Sequence, residues 1–99
     1  MPAVADVDFD GRVVGLEVFL AGSGLSISTV DLHWMDKAVL GHNYDEEEEI
    51  LTIYAVDGRS VDQFSTQVLA LISHSGELAG LAWQDERGLV SEIDGRSEN

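Results

Sequence analysis

The segments that decide the fold read Ala5-Asp6-Val7-Asp8-Phe9-Asp10-Gly11-Arg12-Val13-Val14-Gly15-Leu16 and Ala70-Leu71-Ile72-Ser73-His74-Ser75-Gly76-Glu77-Leu78-Ala79-Gly80-Leu81. Each segment places a small polar residue and a glycine between runs of strand-forming residues. In both, a second glycine follows four residues later, with a leucine after it. An internal repeat indicates a repeated structural unit. The sequence therefore predicts two similar β-hairpins.

The first copy has the pattern of a hairpin with one dry face. If Asp10-Gly11 forms a two-residue loop, Val7 lies opposite Val14, and Ala5 lies opposite Leu16. Opposed residues of an antiparallel pair share a face of the sheet. The apolar face then carries Ala3, Ala5, Val7, Val14, Leu16 and Val18, whereas the other face is mostly polar.

The second copy is apolar on both faces. A loop at Ser75-Gly76 places Ile72 opposite Ala79, Ala70 opposite Leu81 and Val68 opposite Trp83. The other face, which carries leucine, glycine and alanine, is apolar as well. Strands that are apolar on both faces are usually covered on both. We therefore expect this hairpin to be central, or covered by a helix or a second subunit.

A helix and a third hairpin are predicted between the two copies. Ser28-Thr29 can cap a helix over residues 30–40, with Gly41 as its stop. The third hairpin runs from Tyr44 through the acidic turn into a strand over residues 50–56.

Residues 61–71 allow two interpretations. The motif Ser60-Val61-Asp62-Gln63 imitates a helix-capping box, whereas the repeat favours a strand. With the strand, the prediction is a single α+β domain over residues 1–93. It consists mainly of an antiparallel sheet of three hairpins with one short helix packed on it. Residues 94–99 are expected to form a flexible tail.

The charge of the chain limits its partners. Nineteen acidic residues face five basic ones, so the formal net charge is −14. Nucleic acids and anionic membranes bind proteins through cationic side chains, so we expect neither as a partner. The charge favours encounters with a basic protein, although solubility alone is the simpler explanation of it.

Composition also indicates a compartment. The sequence contains no cysteine, no apolar run near the roughly 20 residues of a membrane span, and no secretory signal pattern after Met1. We therefore expect a cytoplasmic protein without disulfides or thiol chemistry, and the motifs imply no cofactor.

Part of the chain resembles a known family. Tyr44-Asp45, the acidic turn and Leu51 to Tyr54 resemble the opening of the YuzE-like small bacterial domains of unknown function, and residues 6–18 resemble their second half. The order of the two halves differs from that of the family. Here the clearer second half precedes the opening hairpin, as in a rearranged family unit or in one and a half units. The resemblance implies a small mixed β-sheet with a short helix. For some members, the genetic setting also implies the acidic half of a toxin–antitoxin pair.

One motif has the spacing of a calcium loop. Asp6, Asp8 and Asp10 alternate before Gly11, and Glu17 follows at the position of a bidentate ligand. Calcium prefers several hard oxygen ligands in this arrangement. However, the hairpin predicted for these residues places Glu17 opposite Val4, far along the strand from Asp10. An acidic strand and turn is the competing interpretation.

A run of five acidic residues follows Tyr44: Asp45, Glu46, Glu47, Glu48 and Glu49. Adjacent like charges repel, so such a run is expected in solvent as an exposed turn. The same residues are candidates for binding a basic protein.

These observations favour a non-catalytic protein-interaction module that self-associates, with a dimer favoured, and that neutralises a basic partner. The alternative is a calcium-binding domain that uses Asp6, Asp8, Asp10 and Glu17. The sequence shows no arrangement of a nucleophile with a base and no cofactor loop, so we do not expect an enzyme. A site assembled from distant Ser, His and Asp residues would leave no such motif.

Overall fold

The computed structural model describes residues 1–24, 34–74, 78–84 and 90–94. In these residues the chain forms seven strands and one short helix. They are β1 (Pro2–Val7), β2 (Val13–Phe19), α1 (Met35–Ala38), β3 (Gly41–Asp45), β4 (Ile50–Tyr54), β5 (Asp62–Ile72), β6 (Leu78–Gln84) and β7 (Val90–Asp94). The strands pair antiparallel in one curled sheet in the order β3-β4-β2-β1-β5-β6-β7. The mainly antiparallel sheet with one short helix is confirmed, but the sheet exceeds the three hairpins predicted.

The first hairpin has the predicted register and a different loop. Ala5 pairs with Leu16 as expected, but Val7 pairs with Val13 because the register shifts after Asp6. The N–H of Asp8 donates to the carbonyl of Arg12 at 2.9 Å, which closes a three-residue loop. The last loop residue, Gly11, has a φ of +83°, as this kind of turn requires. The predicted two-residue loop is therefore wrong.

The second hairpin repeats this irregularity. Val68 pairs with Trp83 and Ala70 with Leu81 as predicted, but Ile72 pairs with Leu78 instead of Ala79. The shift follows Leu71, which stands in the repeat where Asp6 stands in the first copy. The turn over residues 75–77 lies outside the described residues. The repeated unit therefore includes a β-bulge, which adds local twist and helps the sheet to curl.

Strand β5 joins the two parts of the sheet. Its first half, Asp62 to Gln67, pairs with β1, and its second half, Val68 to Ile72, pairs with β6. The helix that the capping-box motif suggested for residues 61–71 is therefore wrong. The alternation of buried and exposed side chains along β5 is that of a strand, which explains why the motif fails.

The helix is shorter than predicted. It begins at Met35 and ends at Ala38, and Gly41 starts β3 instead of stopping the helix. The predicted cap at Ser28-Thr29 lies outside the described residues. The helix contacts both β3 and β7, the two strands at the ends of the sheet order. It therefore lies between the two edges of the curled sheet.

The core fills the inner face of the sheet. Met35 is fully buried there, and the neighbouring Trp34 indole donates to the carbonyl of Leu78 at 3.1 Å. The other buried core residues are Ala3, Ala5, Leu16, Val18, Leu20, Val39, Leu51, Ile53, Val68, Leu78, Leu81 and Trp83. The apolar face predicted for the first hairpin is thus largely in the core.

The last strand extends one residue past the predicted domain boundary at residue 93. Strand β7 pairs with β6 through Asp94, which the sequence assigned to the tail. Residues 95–99, the rest of the predicted tail, lie outside the described residues. No two-residue apolar alternation marks β7 in the sequence, because Ser91 and Glu92 separate Val90 from Ile93, which lie on opposite faces of the strand.

Candidate functional site

The acidic run Asp45 to Glu49 forms the turn between β3 and β4, and most of it is exposed. The Asp45 carboxylate accepts hydrogen bonds from the N–H groups of Glu47 at 3.0 Å and Glu48 at 3.1 Å. Glu49 has a φ of 56°, and its carbonyl accepts the Leu20 N–H at 2.8 Å. The predicted exposed turn is confirmed, whereas its role as a partner-binding patch stays a prediction.

The turn creates a local negative field. Burial raises the pKa of Tyr44, and the carboxylates of Glu49, Glu46 and Asp45 raise that pKa further. Each of these charges opposes the formation of another negative charge beside it. The phenol of Tyr44 therefore stays protonated next to the turn at neutral pH, where it can donate a hydrogen bond but adds no charge.

The Asp8 carboxylate organises the loop between β1 and β2. It accepts hydrogen bonds from the N–H of Asp10 at 3.0 Å and from the N–H of Arg12 at 2.9 Å. It also forms a salt bridge with the Arg12 guanidinium at 3.2 Å. The backbone N–H of Arg12 makes the largest contribution to lowering the pKa of Asp8, and this lowering outweighs desolvation. This calcium candidate therefore has partners within its own loop.

The other calcium candidates do not converge on Asp8. Asp6 accepts a hydrogen bond from the Gln63 side chain at 2.6 Å, and Glu17 lies opposite Val4, away from the loop. In the part of the chain that the structure describes, no group of three or more histidine or acidic side chains could hold a metal ion. The geometry gives the calcium hypothesis no support.

Sequence reasoning missed an apolar surface on the outer face of β5, β6 and β7. The register places Leu69 opposite Ala82, and Gln84 at the end of β6 pairs with Val90. Leu69 is 68% exposed and Val90 is 64% exposed. These residues line a shallow depression. We call it the β5–β7 patch: Gln67, Leu69, Ala82, Gln84 and Val90.

The β5–β7 patch revises one expectation for the second hairpin. Its strands are interior to the sheet, as predicted, and Gly80 and Ala82 on the outer face are buried. However, Leu69 on the same face is exposed, so the described residues cover this face only in part. A helix and a second subunit are the two covers that the sequence predicts for this face where the sheet itself does not cover it.

Comparison with known proteins adds no assignment. No protein-family model, no curated protein and no solved structure matches the chain. The resemblance to the YuzE-like domains therefore stays a prediction. Among the helical residues described, no segment has the length and apolar character needed to cross a membrane.

Proposed function

We propose that this protein is a non-catalytic interaction module that self-associates through the β5–β7 patch. The single observation that carries the proposal is the exposure of Leu69 and Val90 around a depression without charged side chains. Exposed apolar patches on small domains commonly mark interaction sites. In this proposal a second copy supplies the cover that the outer face of the second hairpin lacks.

The composition of the β5–β7 patch supports the proposal. The chain has 24% charged residues and a net charge of −14, yet the residues that line the patch are apolar apart from two glutamines, and the acidic Glu92 lies beside it, opposite Ala82. The centres of protein interfaces are depleted in charge in the same way, with polar residues at the rim. Gln67 and Gln84 line the same depression, where Gln84 pairs with Val90, and they provide such polar residues.

The size of the patch indicates weak association. Stable interfaces bury on the order of 800 Å² per partner, whereas smaller ones are transient. The exposed apolar area here comes from few side chains, chiefly Leu69 and Val90. We therefore expect a dimer with a dissociation constant in the micromolar range or weaker.

The acidic surface gives the module a second proposed role. The exposed turn Asp45 to Glu49 lies on the β3–β4 hairpin, at the end of the sheet order opposite to β6 and β7. None of the residues of the turn lines the β5–β7 patch, so in this proposal a basic protein binds the turn while the patch holds a second copy. The net charge of −14 attracts such a partner over long range.

Analytical ultracentrifugation across a range of concentrations tests self-association. We expect Leu69→Gln to weaken the dimer at least tenfold, because burying the glutamine amide without partners removes about 1.4 kcal/mol or more. Val61→Gln is the matched control, because Val61 is 55% exposed and precedes β5 outside the patch. A purely monomeric native protein, or equal weakening by both substitutions, would contradict the proposal.

A further inference from the structure

Among the described residues, the indole nitrogen of Trp83 is a buried polar atom without a partner. Trp83 is 6% exposed, and its Nε1 has no hydrogen-bond partner within the described residues. The other tryptophan of the chain shows the usual arrangement, because the Trp34 indole donates to the carbonyl of Leu78 at 3.1 Å. Buried N–H groups are almost always paired, so the free donor of Trp83 requires an explanation.

The Trp83 side chain faces a cleft at one end of the curled sheet. Trp83 pairs with Ser91 of β7, so their side chains share the inner face with Ile93. These three residues line a cleft of about 340 Å³, together with Val13 and Ala55 from the β1–β2 and β4 side. We call it the Trp83 cleft. It lies on the opposite face of β6 and β7 from the β5–β7 patch.

The volume of the Trp83 cleft sets the size of an occupant. It lies at the lower end of the range of small-molecule sites. At about 30 Å³ for each water-sized group, it admits roughly ten non-hydrogen atoms. Its walls are mainly aliphatic, from Val13, Ala55, Val56 and Ile93. An occupant of this size with a largely apolar body would match these walls.

The charges around the Trp83 cleft disfavour an ionic occupant. Arg12 lines the cleft, but its guanidinium bonds the Asp8 carboxylate at 3.2 Å and the Asp57 carbonyl at 3.2 Å. Glu92 also lines the cleft, but it pairs with Ala82, so the register places its side chain on the other face of β7. The net charge of −14 repels an anion at longer range.

We propose that the Trp83 cleft binds a small uncharged molecule with an apolar body and one acceptor oxygen, which accepts a hydrogen bond from Trp83 Nε1. A ketone or an amide has this chemistry. The aliphatic walls hold the body of the molecule, and the indole N–H fixes its orientation. Selectivity for the oxygen arises because a hydrocarbon of the same shape leaves the buried donor unpaired.

NMR of the native protein labelled with ¹⁵N tests this proposal, because the chain contains only two tryptophans. The two indole N–H signals are assigned with Trp34→Phe and Trp83→Phe. The probes are acetophenone and ethylbenzene, which has no acceptor, at equal concentrations. We expect acetophenone to move the Trp83 signal downfield in a saturable way while the Trp34 signal stays in place. Ethylbenzene should bind about tenfold more weakly or worse.

A cleft-filling substitution provides the control. Ala55→Leu should abolish the response to acetophenone, whereas Val61→Leu, at an exposed position that does not line the cleft, should preserve it. An unmoved Trp83 signal, equal responses to both probes, or an unchanged response in Ala55→Leu would overturn the proposal. A nuclear Overhauser effect from water to the Trp83 indole that persists at saturating acetophenone would also overturn it.

Discussion

Asp8 combines structural and electrostatic roles in a single side chain. Its carboxylate accepts two backbone N–H groups of its own loop and pairs with the Arg12 guanidinium. Arg12 also bonds the carbonyl of Asp57 at 3.2 Å, so the loop is fastened to the connection between β4 and β5. These contacts use oxygen atoms that the calcium motif would need as ligands.

The pKa of Asp8 predicts how pH acts on stability. The folded state lowers this pKa below its ordinary value of 3.8, so the unfolded state binds the proton more tightly. The contribution of Asp8 is therefore present above that value and is lost as pH falls through the lowered pKa. We expect Asp8→Asn to shift the urea midpoint downward near neutral pH, and the shift to shrink below about pH 4.

Asp10→Asn is the control for this measurement. It makes the same change of charge in the same loop, and no hydrogen bond of the Asp10 carboxylate is seen within the described residues. Removing one negative charge from a chain with net charge −14 relieves repulsion, and the control measures this effect by itself. If the difference in urea midpoint between Asp8→Asn and Asp10→Asn stays constant from pH 7 to about pH 2, the lowered pKa of Asp8 does not contribute to stability as predicted.

At the level of elements, α1 depends on packing. Four residues form one helical turn, which is too short to be stable by itself. Met35 is fully buried against the sheet, and Asp36 lies 3.0 Å from the His42 ring of β3. The helix is therefore held by its contacts with the edges of the sheet.

Met35→Ala tests this dependence. Removing a fully buried methionine side chain should lower the free energy of unfolding by about 2–5 kcal/mol. Because α1 contacts both β3 and β7, amide hydrogen exchange should accelerate in these two strands more than in β1 and β2. Lys37→Ala, at an exposed position of the same helix, should change neither quantity appreciably. Uniform acceleration across all strands would contradict a closing role for α1.

The elements also show what the sequence can predict. Alternating apolar residues determine which side chains face the core, so the pairings Ala5–Leu16 and Val68–Trp83 were predictable. The length of the loop was not predictable. Beyond the bulge, a three-residue loop followed by a bulge gives the same register as a two-residue loop, so the apolar pattern fits both. The helix boundary depends on tertiary contacts of Met35, and local pattern carries no information about them.

Of the candidate site, the acidic turn was predictable from the sequence and the β5–β7 patch was not. Charge repulsion requires the run Asp45 to Glu49 to be exposed in any fold, and the structure agrees. The β5–β7 patch joins Leu69 and Val90, which are distant in sequence and neighbours only in the folded sheet. The calcium motif failed because spacing specifies ligands only when the backbone forms the matching loop.

For the whole molecule, salt should act in opposite directions on the two proposed interactions. Two copies with a net charge of −14 repel each other, so raising NaCl from about 0.05 to 0.5 M should strengthen the dimer by screening. Binding of a basic peptide such as oligolysine should weaken over the same range. Sedimentation and fluorescence anisotropy measure the two effects. A dimer that weakens as salt rises would show that ion pairs, and not the β5–β7 patch, hold it together.

The change of partner along β5 has a consequence for the order of folding. The hairpins β1–β2, β3–β4 and β5–β6 each close over a short stretch of chain, whereas Ala5 meets Phe64 only after a much longer stretch has closed. Closing a longer stretch costs more entropy and slows folding. Nascent ribbons should therefore form early and independently, and their docking along β5 should be the slow step that commits the polypeptide to its native topology.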